Sequence, residues 1–222
     1  MAVVVGAGGA LLGFVTGAWL HPVLGVVMAV VGGLNGVVSG RRRIYRWDSL
    51  RSWVAFVLDS TWATLPVAVG LLAHLAGKGY VTEMSEGRGH HVYRAGFTLK
   101  PGFALTVGNV IAGAGDVERA RRARLIHDHE AVHVWQARWF GPLYLPLYGL
   151  WSGLGAVTGL LVWLVRLLRG RRQPVSAVVE SCSYYLNPFE WWAYSRDDHW
   201  PPQALVVGWK RPAVKSFQSR RS

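Results

Sequence analysis

Charged residues and cysteine are both scarce in this chain of 222 residues. Charged side chains make up 16% of the residues, whereas hydrophobic ones make up 51%. So few charges can hardly cover a soluble globule of this size, and so much apolar content excludes a disordered chain. The single cysteine, Cys182, excludes an internal disulfide framework. The composition therefore predicts a membrane protein.

Charge is missing altogether from the first forty residues, which contain no Lys, Arg, Asp or Glu. His21 and Pro22 divide this run into two apolar stretches, 2–20 and 23–39. Each stretch is about as long as a helix needs to be to cross a bilayer. A signal peptide is not expected, because no basic region precedes the apolar run. We predict a transmembrane helical hairpin over residues 1–40.

Glycines recur at every fourth position in both halves of this hairpin. This spacing puts them on one helix face, where the missing side chains let two backbones approach closely. The pattern resembles the glycine-zipper hairpins of bacterial envelope proteins. Packing of the two helices within one chain is the favoured interpretation, and a homo-oligomer formed through the glycine faces is the alternative. The residues concerned are Gly9, Gly13, Gly17, Gly25, Ala29, Gly32, Gly33, Gly36 and Gly40.

The chain is strongly basic, with a net charge of +12. In a chain this apolar, the arginines are better explained as flanks of membrane segments than as a nucleic-acid surface, which would need exposed aromatics interleaved in a soluble groove. Arginine-rich strips at 41–51 and 169–172 mark the cytoplasmic side of a membrane. The sequence therefore predicts a multi-pass protein of the cell membrane, with the lipid bilayer as a partner and no nucleic acid.

The next 70 or so residues mix apolar and polar stretches. Residues 52–77 predict either a third span or a bent helix in the interface, because Asp59 would need a partner inside a bilayer. Residues 78–89 are polar and predict a loop. The stretches 91–99 and 103–111 are rich in Val, Thr, Tyr and Phe and flank a Pro-Gly turn. We expect them to form one β-hairpin.

The rest of the chain is predicted to be helical. Asp116 can cap a helix that continues to about Phe140. The apolar segment 141–169 contains prolines and glycines, and further helices are expected at 175–186 and 189–196. The tail at 201–222 is basic and is expected to be a flexible end. The fold class is thus a mainly α-helical integral membrane protein, with residues 41–200 forming a membrane-associated domain with embedded helices.

The sharpest chemical signal is an H-E-x-x-H sequence, residues 129–133, within the predicted helix. A spacing of four places His129 and His133 one turn apart on the same face, so both imidazoles can ligate one zinc ion. Glu130 lies beside them, where its carboxylate could accept a proton from a water activated by the metal. Gln136, one turn after His133, could orient that imidazole. The pattern predicts a Zn²⁺ site.

Residues 117–195 resemble the gluzincin-type zinc metallopeptidases, in which a glutamate from a later helix completes the ligand set. Glu190, in the sequence Asn-Pro-Phe-Glu, is the residue that matches this role. The same stretch is similar to a group of bacterial integral membrane proteins that share His-Glu-x-x-His-x-x-Gln, then Gly-Pro-Leu, then Asn-Pro-Phe-Glu. The resemblance implies a small zincin-like α+β portion and a hydrolase of peptide or protein substrates, with Glu130 as catalytic base.

Several of these roles have alternatives. Asn187 and Glu190 could instead form a capping box around Pro188. Glu180 is the reserve ligand, and Cys182 is a more distant one. His90 and His91 could form a second metal site or be solvated. Donors to an oxyanion would come from one of four residues, of which we select Tyr185 as catalytic; the four are Tyr93, Tyr184, Tyr185 and His199.

The ligand set also constrains the membrane topology. If His133 and Glu190 meet at one ion, the segment 141–169 cannot simply cross to the opposite side, and it is too short for two spans of about 20 residues each. We expect a re-entrant or interfacial element, with the site facing the cytoplasm and the hairpin strands offering an edge to an extended peptide. The competing class is a non-enzymatic membrane or envelope-assembly protein, in which the His/Glu cluster is structural.

Overall fold

The computed structural model describes residues 1–197 of the chain. They fall into two compact units, one from Met1 to Leu147 and one that begins at Tyr148, and each unit is described here by itself. The described chain is mainly α-helical and contains a small four-stranded sheet. The predicted mainly helical fold is therefore confirmed. The predicted basic tail at 201–222 lies outside the described residues.

The first unit begins with the predicted hairpin. Helix α1 covers Ala2–Leu20 and helix α2 covers Pro22–Arg41. His21 separates them and caps α2, because its side chain accepts a hydrogen bond from the backbone N–H of Val23 at 3.2 Å. Pro22 occupies the first position of α2, where a proline costs no helical hydrogen bond.

The glycines of the two helices face each other, so they are used within the chain as the favoured interpretation expected. A methyl group on Gly17 would lie 2.7 Å from the carbonyl oxygen of Leu24, and one on Gly25 would lie 2.8 Å from the Cβ of Ala18. Gly9 and Gly32 are in similarly close contact. Packing of the hairpin thus depends on the absence of side chains along its whole length, and a homo-oligomer through these faces stays a prediction.

Residues 52–77 form the bent element that was one of the two predicted alternatives. Helix α3 covers Leu50–Ser60 and helix α4 covers Thr64–Ala76. Their axes differ by 89° across the break. Both helices pack against α2.

The sheet has the strand order β1-β2-β4-β3. Strand β2 pairs parallel with β4, and the outer pairs β1–β2 and β3–β4 are antiparallel. The strands are β1 Lys78–Tyr80, β2 His91–Ala95, β3 Leu105–Val107 and β4 Val110–Ala112. Helix α4 packs against the β3–β4 hairpin.

The predicted hairpin between 91–99 and 103–111 is wrong in its pairing. The turn around Pro101 and Gly102 exists, but β2 is hydrogen-bonded to β1 and β4 rather than to β3. The chain reverses instead at Gly108, whose φ of +58° suits a tight turn that most side chains avoid. Residues 78–80, predicted to lie in a loop, form strand β1.

The helix predicted from Asp116 to Phe140 exists but is not uniform. Helix α5 covers Ala120–Arg124, a π-helical turn follows at Leu125–Glu130, and helix α6 covers Ala131–Phe140. A short 3-10 turn at Gly141–Leu143 ends the segment. This helical run covers the sheet through Ile126 and Val134, both fully buried against the strands.

The second unit is a helical hairpin. Helix α7 covers Tyr144–Leu168, so it begins in the last residues of the first unit. Helix α8 covers Val175–Glu180, a π-helical turn covers Ser181–Tyr185, and helix α9 covers Pro188–Tyr194. This return path runs antiparallel to α7, because Gly159 packs on Val179 and Gly155 packs on Cys182.

Of the re-entrant or interfacial element predicted for 141–169, the re-entrant form is wrong, whereas the interfacial form stays a prediction. Helix α7 is one continuous helix of 25 residues, since Pro146 lies in its first turn and its glycines are tolerated in the helix interior. The chain turns back after Arg169, between α7 and α8. Residues 175–190 bring Asn187 back beside Tyr148.

By length and composition, three helical segments of the described chain could cross a membrane. They are Ala2–Leu20, Pro22–Arg41 and the run Ala120–Leu168, and the bent pair α3–α4 would make a fourth if it counts as one span. Association with a membrane is thus supported by three apolar helices, as the composition predicted.

Candidate metal centre

His129 and His133 lie where the π-helical turn meets α6. Both side chains are buried, and their rings pack edge to face with centroids 4.9 Å apart. The two Nε2 atoms are 3.2 Å apart. The spacing of four residues thus places the two imidazoles on the same helix face, as predicted, with their Nε2 atoms next to each other.

Gln136 fixes the tautomer of His133. Its side-chain oxygen accepts a hydrogen bond from His133 Nδ1 at 2.8 Å, and the hydroxyl of Tyr144 lies 3.4 Å from the same nitrogen. With the proton held on Nδ1, the lone pair of His133 is on Nε2, which is the atom that faces His129. Gln136 is thus in the predicted contact with His133, and its role in orienting a metal ligand stays a prediction.

Glu130 is tied to the sheet. The hydroxyl of Thr106, in β3, donates a hydrogen bond of 2.6 Å to Glu130 Oε2, and Glu130 is 6% exposed. Strand β3 is at the edge of the sheet and packs against α6. Thr106 was not among the residues singled out from the sequence, because nothing local shows that an edge strand passes this helix.

A buried ion pair holds α6 in place. Arg138 donates two hydrogen bonds to Asp59, each 2.8 Å long, and the two side chains are 2% and 1% exposed. Arg138 also donates to the carbonyl oxygen of Gly89, and Tyr45 donates to Asp59 at 2.7 Å. Burial next to the Asp59 carboxylate raises the pKa of Tyr45, so its hydroxyl stays a donor. Arg138 is the partner that Asp59 needed.

In the second unit, the side chains of Asn187 and Glu190 form hydrogen bonds with different partners. Asn187 caps α9 by accepting a hydrogen bond of 3.0 Å from the backbone N–H of Phe189. Glu190 Oε1 instead accepts a hydrogen bond of 2.7 Å from the hydroxyl of Tyr148. Asn187 is therefore the predicted cap, whereas the Glu190 carboxylate is engaged elsewhere. Tyr144 and Tyr148 were missed, although their spacing of four on α7 is a signal that could have found them.

Of the three ligands predicted from the sequence, His129 and His133 lie in the first unit and Glu190 lies in the second. All three side chains are buried, and they are of the residue types that could hold a metal ion. That the three bind one ion together stays a prediction, and so do the reserve ligands Glu180 and Cys182.

The candidate oxyanion donors lie in different surroundings. Tyr185 is buried between Tyr184 and Tyr194, at ring-centroid distances of 5.0 and 6.3 Å, and burial raises its pKa. Tyr93 is hydrogen-bonded to His74 at 2.7 Å and also to Arg42. His199 lies outside the described residues. The catalytic role of Tyr185 stays a prediction.

His90 and His91 are buried rather than solvated. His91 is fully buried, with its Nε2 3.2 Å from the hydroxyl of Ser39 and its Nδ1 3.5 Å from that of Tyr80. Burial lowers the pKa of both imidazoles, for His90 to about 3. In the part of the chain that is described, neither histidine belongs to a group of three or more metal-ligating side chains. The contact between His91 and Ser39 joins the sheet to α2.

Comparison with known protein families, with curated proteins and with solved structures finds no match to this chain. The resemblance to zincins therefore depends on the residues themselves.

Proposed function

We propose that the chain is a membrane-embedded zinc-dependent hydrolase, in the simplest case a metallopeptidase that acts on a peptide or protein substrate. The observation that carries the proposal is the 3.2 Å separation between the Nε2 atoms of His129 and His133. Two nitrogens that ligate one tetrahedral zinc at about 2.0–2.1 Å lie roughly 3.3 Å apart. The spacing of this buried pair matches that value.

The chemistry of the donor set fits zinc as well. Two neutral imidazoles and one carboxylate are the nitrogen and oxygen ligands of catalytic zinc sites, which leave a fourth position open. We assign Glu190 as the third ligand, with Glu180 in reserve. Zinc, when bound, supplies a Lewis acid that polarises a substrate carbonyl and lowers the pKa of water.

The protein residues would then perform the proton transfers and the positioning. Thr106 occupies Glu130 Oε2, so we assign Oε1 as the atom that takes the proton from water and returns it to the leaving amine. Gln136 keeps His133 in the tautomer that ligates. An extended peptide would add to the edge strand β3, and Tyr185 is the proposed donor to the oxyanion.

A non-enzymatic membrane or envelope-assembly protein is the second candidate, and one observation favours it. Glu130 is buried and hydrogen-bonded to Thr106, as a structural carboxylate would be. In that case the His/Glu cluster would hold the helix to the sheet, and the glycine hairpin would be the functional part.

Replacement of Glu130 by Gln separates the two candidates. The purified, zinc-loaded protein should cleave a quenched fluorescent peptide library, and E130Q should lower the rate by about 10²–10⁴-fold with its bound zinc unchanged. T106V serves as a control that removes the hydrogen bond to Glu130 but keeps the carboxylate. A zinc-loaded wild type without hydrolysis, or an E130Q protein as fast as wild type, would favour the structural role.

We further propose a multi-pass location in the cell membrane, with the site on the cytoplasmic side. The support is the arginine strip 41–51 directly after α2, together with the apolar length of α1 and α2. A reporter fused after Lys78 should report the cytoplasm. A second fusion after Arg172 should also report the cytoplasm, and opposite sides for the two fusions would contradict this topology.

A further inference from the structure

The bent pair α3–α4 begins and ends beside the arginine strip that follows α2. At the start of α3, the backbone N–H of Arg46 donates a hydrogen bond of 3.1 Å to the hydroxyl of Ser52. Near the end of α4, Nδ1 of His74 lies 3.3 Å from a guanidinium nitrogen of Arg42. Arg42 and Arg46 are four positions apart, which is at most about 14 Å of extended chain. Because a bilayer has a hydrocarbon core about 30 Å thick, both ends of the pair lie on one side of it.

The bend between α3 and α4 lies at another level, beside the glycines of the hairpin. A methyl group on Gly9 would lie 3.4 Å from the hydroxyl of Ser60, the last residue of α3. One on Gly32 would lie 3.6 Å from the carbonyl oxygen of Ser60. Gly32 is near the middle of α2, nine positions before its last residue, Arg41. At 1.5 Å per residue, the bend is therefore about 13 Å from the arginine end of α2.

The outer face of α3–α4 presents no charged side chain. Between Arg51 and Lys78, Asp59 is the only Asp, Glu, Lys or Arg, and it is buried in its ion pair with Arg138. Every exposed residue in this segment is apolar, and an apolar surface of this extent is typical of a protein or membrane interface. The large exposed side chains are Trp53, Val57, Trp62, Leu65, Leu72 and Leu75.

We propose that α3–α4 is a re-entrant membrane element, which enters the bilayer beside the arginine strip, turns near the bilayer centre and returns to the same side. Its apolar face contacts acyl chains. Lipid is the occupant that fits, because this face continues the apolar surface of the hairpin, where Val30 is 55% exposed close to the level of the bend. Arg138 then supplies the partner that the Asp59 carboxylate needs at this depth. The assignment rests on the proposed membrane location of α1 and α2, and not on hydrolase activity.

Spin labels on single cysteines can measure the depth of α3–α4 in the full-length protein reconstituted into nanodiscs. The native Cys182 is first replaced by Ser. Labels in V57C and L65C should be about tenfold less accessible to a polar nickel chelate than a label in T82C, because Thr82 is exposed outside the apolar segment. V30C on α2 is the matched control and should be protected to the same extent.

The outcomes separate this proposal from the membrane location on which it rests. Labels in V57C and L65C that are as accessible as T82C, with V30C protected, would overturn the re-entrant element and leave the hairpin in the membrane. A V30C label as accessible as T82C would overturn both. Circular dichroism should show the wild-type helix content in each variant.

Two further measurements test the path and the occupant. R51C and K78C, at the two ends of the segment, should react with a membrane-impermeant maleimide from the same side of sealed vesicles. Reaction from opposite sides would make α3–α4 a span and overturn the proposal. Spin–spin broadening in L65C that disappears on dilution with unlabelled protein would show that a second copy covers the face, and would likewise overturn it.

Discussion

Arg138 and Asp59, which are 79 positions apart in the sequence, form a two-fold hydrogen-bonded ion pair inside the first unit. Asp59 lies near the end of α3 and Arg138 near the end of α6, so the pair fixes the histidine-bearing helix to the bent element beside it. Tyr45 and the Gly89 carbonyl oxygen satisfy further hydrogen bonds of the two groups. A buried pair with such partners is costly to break, because removal of one member leaves the other charged and desolvated.

We therefore expect D59N to lower the free energy of unfolding by about 3–5 kcal/mol. Denaturant unfolding in detergent measures the change. The exposed pair of Arg46 and Asp48 provides the control, since D48N should leave the unfolding midpoint unchanged. The double variant D59L/R138M should recover much of the loss, and a double variant as unstable as D59N would contradict this explanation.

Closely packed glycines in the hairpin should tolerate no added methyl group. G25A places a Cβ atom 2.8 Å from atoms of Ala18, and overpacking of this kind costs about 1–3 kcal/mol. Gly149 is the matched control in α7, because no described atom outside its own helix backbone and its chain neighbours lies within 4 Å of the added methyl group. Thermal unfolding followed by circular dichroism should show a lower midpoint for G25A and no decrease for G149A. Equal effects would mean that the hairpin is not in close contact.

His90 should make the fold sensitive to acid. Burial, and then the Arg138 charge, lower its pKa from 6.5 to about 3. The unfolded chain binds a proton below pH 6.5 that the folded chain does not accept, so stability falls as the pH decreases from about 6.5 to about 3, by at most about 1.4 kcal/mol per pH unit. H90Q should reduce this slope, with a remainder from His91, whose pKa is lowered in the same direction. Unfolding midpoints across this range would contradict the assignment if both proteins had the same slope.

Gln136 should affect metal affinity without touching the metal. Q136L removes the acceptor that keeps the proton of His133 on Nδ1, and the loss of such a partner weakens zinc binding about 10–100-fold. T106V, which alters the surroundings of Glu130 alone, should leave zinc affinity unchanged. Competition with a chromophoric chelator measures both values, and equal affinities in Q136L and wild type would remove Gln136 from the site.

Local pattern was enough to predict the helices and the paired histidines. The glycine spacing gave the contact face of α1 and α2, and the spacing of four between His129 and His133 gave their shared direction. The contact face and the shared direction of the imidazoles both follow from the period of the α-helix, so the spacing of residues in the sequence is enough to predict them.

Contacts between residues far apart in the sequence could not be predicted from local patterns. The parallel pairing of β2 with β4 joins strands separated by two turns, and Arg138 has no local mark as the partner of Asp59. The π-helical turn at Leu125–Glu130 also escaped prediction, because such turns are rare and no local residue pattern marks one. The return of residues 175–190 along α7 was not predicted either. It depends on the close packing of Gly155 and Gly159 against that segment, which is a contact between residues distant in the sequence.

Zinc content of the purified full-length protein is the most direct test of the proposed centre. Elemental analysis should find one zinc per chain in wild type and in E180Q, and strongly reduced zinc in H133N and E190Q. Wild-type protein without zinc, or an E190Q protein with the wild-type content, would contradict a centre formed by His129, His133 and Glu190.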